Sequence, residues 1–105
     1  MDLSLNAATS GMQTAMTRQA VTANNIANVE TPGYRQMNPH QAETPPAGVR
    51  FTGVTRTPNP DKTTSGTDLA QQMVDLKVNN ADFTANTKAF KVQDRMIGEA
   101  IDLIA

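Results

Sequence analysis

The side chains that usually carry enzymatic chemistry are almost absent from this chain. It has no Cys, and its single His, His40, lies among Pro39, Pro45 and Pro46. Without Cys there is no thiolate nucleophile, no disulfide and no Cys-ligated metal. A lone imidazole in a Pro-rich stretch reads as a surface residue, and neither a Gly-rich phosphate loop nor a close acidic cluster accompanies it. No catalytic site, cofactor, metal or small-molecule substrate is therefore expected.

The polar residues that do stand together are amides, and their chemistry is hydrogen bonding. Asn24, Asn25 and Asn28 precede Thr31, Pro32, Gly33 and Tyr34. Asn24 and Asn28 share one helix face and can reach backbone groups freed where the helix ends. Pro32 disfavours the α region at Thr31, and Pro32-Gly33 at the centre of a turn favours type II geometry with Gly33 at positive φ. The string that includes Ile26 and Ala27 is thus a helix stop with a fixed exit direction. The three Asn side chains read as local caps or as a subunit contact, and Tyr34 as a packing anchor.

Two long elements must position this string. All six prolines fall between residues 32 and 60, and four of the six glycines lie between residues 33 and 66. The flanks, residues 4–29 and 68–104, are free of Pro and read as helices, within a single domain spanning 1–105. In the second flank Leu69, Leu76, Phe83, Phe90, Ile97 and Ile104 recur every seven residues, and the adjoining row is Met73, Asn80, Thr87, Asp94 and Ile101. The polar middle of that second row is open to two readings, register selection on a helix seam or a solvent-facing row. Asp68 and Gln71 form a capping box at the start. A continuous helix here would run about 55 Å, with Gly98 as its weak point.

The first flank carries a weaker heptad, Leu5, Met12, Gln19 and Ile26 beside Ala8, Ala15, Thr22 and Val29. Small residues bury little area, and Gly11 costs about 1 kcal/mol relative to Ala, so this helix is expected to fray in a free monomer until another helix covers it. Between the flanks, Val49, Phe51 and Gly53 alternate with polar residues and predict one short strand or small hairpin; residues 38–47 and 59–66 read as loop. The expected fold is mainly α, two long antiparallel heptad-patterned terminal helices forming a hairpin or coiled coil around a Pro/Gly-rich middle.

Composition narrows the partners. Nine Lys and Arg against ten Asp and Glu give a net charge of −1, without the basic face that nucleic acid requires. No apolar run approaches the roughly 18 residues of a membrane span, and the N-terminus lacks the basic start and apolar core of a secretory signal. With 38% hydrophobic residues, 4% aromatic and no Trp, the core is thin. A thin core in a short chain points to burial supplied by partners.

The string Ala23-Asn24-Asn25-Ile26-Ala27-Asn28-Val29-Glu30-Thr31-Pro32-Gly33-Tyr34-Arg35 closely resembles the ANNIANVNTPGY signature of the flagellar basal-body rod and hook proteins. Residues 67–76 and 83–88 are similar to that family's C-terminal stretch. Together the resemblance covers residues 5–35 and 67–104. The short middle, with residues 48–54, resembles the short proximal-rod members of the FlgC type. It departs from them in the roughly ten residues left between strand and second helix, and in Asn80-Ala81-Asp82-Phe83, where an aromatic-bearing string is common in the family.

The resemblance implies a structural subunit of the rod. Such a subunit is exported through the flagellar type III apparatus without a cleaved signal, and assembles with itself and other rod and hook subunits in the basal body. On that reading Leu5, Met12, Ile26, Leu69, Met73, Leu76, Phe83, Phe90, Ile97, Ile101 and Ile104 are the helix packing and assembly residues. The competing class is a small helical adaptor or export-chaperone-like module that holds another helix in its groove. It would share the heptads but has no need of the Asn-rich string.

Overall fold

A computed structural model describes residues 2–104, with side chains from residue 5 onward. Met1 and Ala105, the ends of the expected domain, lie outside the described residues. Helix α1 spans Asp2–Ala27, strands β1 Met37–Glu43 and β2 Val49–Arg56 follow, and helix α2 spans Leu69–Ile104. The molecule is mainly helical and elongated, 67 × 23 × 13 Å.

The helices run antiparallel. Asn25 meets Gln72, Thr22 meets Asn79, Arg18 meets Asp82 and Met12 meets Thr87, so positions rising along α2 fall along α1. Continuing this pairing, α1 starts opposite the region of Ile97, and the last turns of α2 project beyond it. Helix α1 is therefore the central layer: α2 covers one side, the β-hairpin covers another, and neither strand packs on α2.

Residues 38–43, within the stretch expected as loop, belong to β1 despite Pro39. In a two-stranded sheet each strand has a free edge, so the N–H that Pro39 lacks is not missed. The strands pair antiparallel from Met37 opposite Arg56 to Glu43 opposite Val49, with a register shift at His40 and Gln41 that leaves Thr52 as the extra residue of a bulge. An isolated hairpin is marginal in water. This one is tied to α1, because Ser10 Oγ accepts the Val49 N–H at 3.1 Å and Phe51 lies against the helix.

Asp68 caps α2 by accepting the Gln71 N–H at 3.2 Å. The reciprocal half of the expected capping box is absent. Gln36 Oε1 takes the Asp68 N–H at 2.8 Å, and Gln71 turns along the helix toward Asp75. Gly98 does not interrupt α2.

Gly11 has a packing reason that its helix propensity hides. A Cβ there would lie 2.5 Å from Asn86 Oδ1, so the missing side chain lets the Asn86 amide lie against α1.

Candidate functional site: the helix junction and the outer face of the long helix

The Asn-rich string folds into a polar junction. Asn25 is completely enclosed, with 0% exposure. Its Nδ2 donates to Met37 O at 2.8 Å and to Gln72 Oε1 at 2.9 Å, while its Oδ1 accepts from the Tyr34 hydroxyl at 2.8 Å and the Met37 N–H at 2.9 Å. One amide thus joins α1 to the start of β1, to α2 and to the exit turn. Its neighbours act locally: Asn28 Nδ2 donates to Asn24 O at 2.8 Å and, more weakly, to Asn24 Oδ1 at 3.4 Å, and the exposed Asn24 donates to the Tyr34 hydroxyl at 3.2 Å.

The turn that follows has the geometry its residues favour. Tyr34 N donates to Thr31 O at 3.2 Å, with Gly33 at φ 75° and Pro32 exposed on the outside. Carbonyls left free at the end of α1 find donors in the loop before α2: Thr67 Oγ1 reaches Asn25 O at 3.0 Å and Ser65 Oγ reaches Asn28 O at 2.7 Å. Gly33 N–H donates to Thr64 O and Gly66 N–H to Tyr34 O. Arg56 lies over the Tyr34 ring, 5.8 Å from its centroid. Ile26 is half-buried and Ala27 exposed, so the one buried member of the string is the polar Asn25.

The seam between the helices is small on one side and polar on the other. From α1, Ala8, Ala15 and Thr22 face it, and from α2 come Gln72 and Asn79, each 2% exposed, with Asn86 and Gln93 continuing the row. The carbonyl oxygens of Gln19, Asn79 and Gln93 are enclosed without a donor. The row Leu69, Leu76, Phe83, Phe90 and Ile97 stands beside this seam rather than in it, and Ile104 lies beyond α1 altogether. Leu5 and Met12 are half-buried at its edge, whereas Met73 and Ile101, both exposed, face solvent. Of the polar positions in that second row, Thr87 touches Met12 Sδ at 3.4 Å, while Asn80 and Asp94 are exposed.

A second apolar stripe lies on the far side of α2. Val74, Val78, Ala81 and Ala85 continue through Ala89, Val92 and Met96 to Ala100 and Leu103, and all are exposed. These positions are spaced three or four residues apart, averaging about 3.6, and lie roughly 80–160° round the helix from the Gln72 row. Asp82 and Glu99 stand at the two edges of the stripe, in line with Ala100 and Ala81. The stripe ends at Leu103, 88% exposed, on the projecting turns. The heptad count overlooked it because its period is that of a straight helix; reading at 3.6 residues per turn finds it in the sequence alone.

The arrangement offers surface rather than chemistry. No group of three or more His, Cys, Asp or Glu able to hold a metal occurs among the described residues, and none of their helices is long and apolar enough to cross a membrane. The hairpin is locked at one end and leaves an exposed apolar face along its longer helix. Residues 5–35 match the family model described as flagella basal body rod protein. This segment, which holds most of α1 and the whole junction turn, is what the chain shares with that family. No curated protein matches the chain.

Proposed function

We propose that this protein is a structural subunit of the bacterial flagellar rod, of the short proximal FlgC type, assembling with copies of itself and with related rod and hook subunits. The observation that carries the reading is the conjunction of the family segment at residues 5–35 with an unpartnered apolar face along α2. In the rod its helices pack against those of neighbouring subunits, and the flagellar type III apparatus delivers it.

The molecule's surface supports assembly. It exposes 6976 Å², about 1,200 Å² more than the roughly 5,700 Å² expected of a compact monomer of 11.3 kDa. Per subunit that exceeds the approximately 800 Å² each partner contributes to a standard stable interface. The adaptor reading needs a groove that takes a helix. The groove between the helices at Ala15, Met16, Asn79 and Phe83 has a volume of only about 210 Å³, room for a side chain.

Deleting the gene and examining motility and isolated basal bodies by electron microscopy tests the reading. Loss of the rod, restored by the intact protein but not by Ala85→Asp on the outer stripe, is the expected result. Normal rods in the deletion strain would overturn it.

A further inference from the structure

On the face of the helix pair away from the β-hairpin, a groove holds a hydrogen-bonding deficit that the fold itself leaves open. Ala15, Met16 and Gln19 of α1 and Asn79, Asn80 and Phe83 of α2 line it. Gln19 Oε1 and Asn79 Oδ1 are enclosed without a donor, and Asn79 is only 2% exposed. The Asn79 amide nitrogen is already engaged with Thr22 Oγ1 at 3.2 Å. An enclosed acceptor that lacks a donor carries its full desolvation cost, so a guest that brings an N–H recovers it.

The deficit and the walls together specify the guest. Among side chains, Lys, Arg, protonated His and Trp donate hydrogen bonds without accepting them. The first three bring a charge, and no carboxylate lines the groove; Asp82 turns to Arg18 on the hairpin side of the helix pair. A charge enclosed without a counter-ion is penalised, which leaves the neutral indole. Its ring suits the walls, since Phe83 offers an aromatic partner and Met16 a sulfur. The groove measures about 210 Å³, more than the ~150 Å³ of a cavity that holds benzene. We infer that this groove is a docking site for a Trp side chain presented by a different protein. The chain has no Trp of its own, so a second copy cannot supply one. Gln19, half-buried and unbranched, can turn its terminal amide toward the indole N–H. Leu76 and Phe90, in one row with Phe83 and each 37% exposed, extend the apolar edge for residues that flank the Trp. The site goes beyond the rod reading and does not depend on it.

The absence of Trp makes the test direct, because indole emission then comes from the probe alone. N-acetyltryptophanamide at micromolar concentration is titrated with the full-length protein and its emission followed, beside the ring-N-methylated derivative, which lacks the N–H. The expected result is a saturable blue shift, with the methylated probe bound several-fold more weakly. Gln19→Met should remove most of that difference. Met16→Asp, at an exposed edge of the groove, should abolish the shift while the circular dichroism spectrum stays that of the wild type. Equal affinity for the two probes would overturn the selection of Trp by its N–H, and no saturable shift with either would overturn the docking site. Neither failure touches the rod assignment, which the basal-body experiment decides separately.

Discussion

Replacing Asn25 by Ala removes the amide on which three elements converge, and the structure sets the size of the effect. Four hydrogen bonds of 2.8–2.9 Å disappear with the side chain. Each bond contributes about 1 kcal/mol net, and a partner left enclosed without one costs about 1–3 kcal/mol. Gln72 stays enclosed, whereas Tyr34 and Met37 are half-buried and recover some water. The sum is a loss of about 3–4 kcal/mol, a large part of the roughly 5–15 kcal/mol available to a domain of this size.

Asn24→Ala is the matched control: an adjacent Asn, exposed, with two longer side-chain bonds at 3.2 and 3.4 Å. It should cost under about 0.5 kcal/mol. Urea unfolding followed by circular dichroism measures both, and a double-mutant cycle with Gln72→Ala should return a coupling of about 1 kcal/mol. Equal losses for Asn24→Ala and Asn25→Ala would refute the junction as described, because the two differ in enclosure and not in chemistry.

Other perturbations probe other parts of the fold. Gly11→Ala should destabilise by about 1 kcal/mol in spite of the better helix propensity, and should become stabilising when Asn86→Ala clears the space; the same unfolding assay reads both. Asn79→Leu combined with Thr22→Val removes an enclosed carbonyl oxygen without a donor together with the hydroxyl that Asn79 bonds, and should raise stability by about 1–2 kcal/mol, visible as a higher melting temperature; a loss would show that the polar seam is stabilising as it stands. The Asp61 carboxyl is held below its ordinary value of 3.8, first by the Thr63 hydroxyl and then by the Thr63 N–H. Because the folded value is depressed, this contribution is complete above the unfolded value and is lost as pH falls through the folded one. An NMR titration should place its midpoint below the ordinary value, and Thr63→Ala should raise it. Hydrogen exchange should find the amides of residues 98–104 the fastest within α2, since nothing covers them, and those around Asn25 among the slowest.

The outline of the fold was legible because prolines confine irregular backbone to the middle and leave two uninterrupted flanks. The Pro32-Gly33 turn was equally legible, since two residues with restricted backbones dictate its geometry. Strand β1 was not, because Pro39 and the polar residues around it mask a strand whose partner and support lie elsewhere in the chain.

The role of Asn25 also depends on distant groups. Local sequence identifies an Asn near a helix end, but Gln72, 47 residues away, decides that it faces inward. For the helices, a heptad of large apolar residues marked the edge of the seam, and the seam itself went to amides. Ala and Thr on α1 leave room for polar side chains to pair across, and the larger residues stay outside, where a partner can use them. The fraying expected of the small-residue helix is opposed by the cover α1 has on two sides, whereas the distal turns of α2 have none.

The most direct test of the central claim is to purify basal bodies from cells producing the protein at its native level and to quantify it by mass spectrometry against the rod subunits. The account predicts that the protein co-purifies with the rod in fixed ratio and is lost from it when Ala85→Asp is introduced. A protein absent from intact basal bodies, while remaining folded elsewhere in the cell, would contradict it.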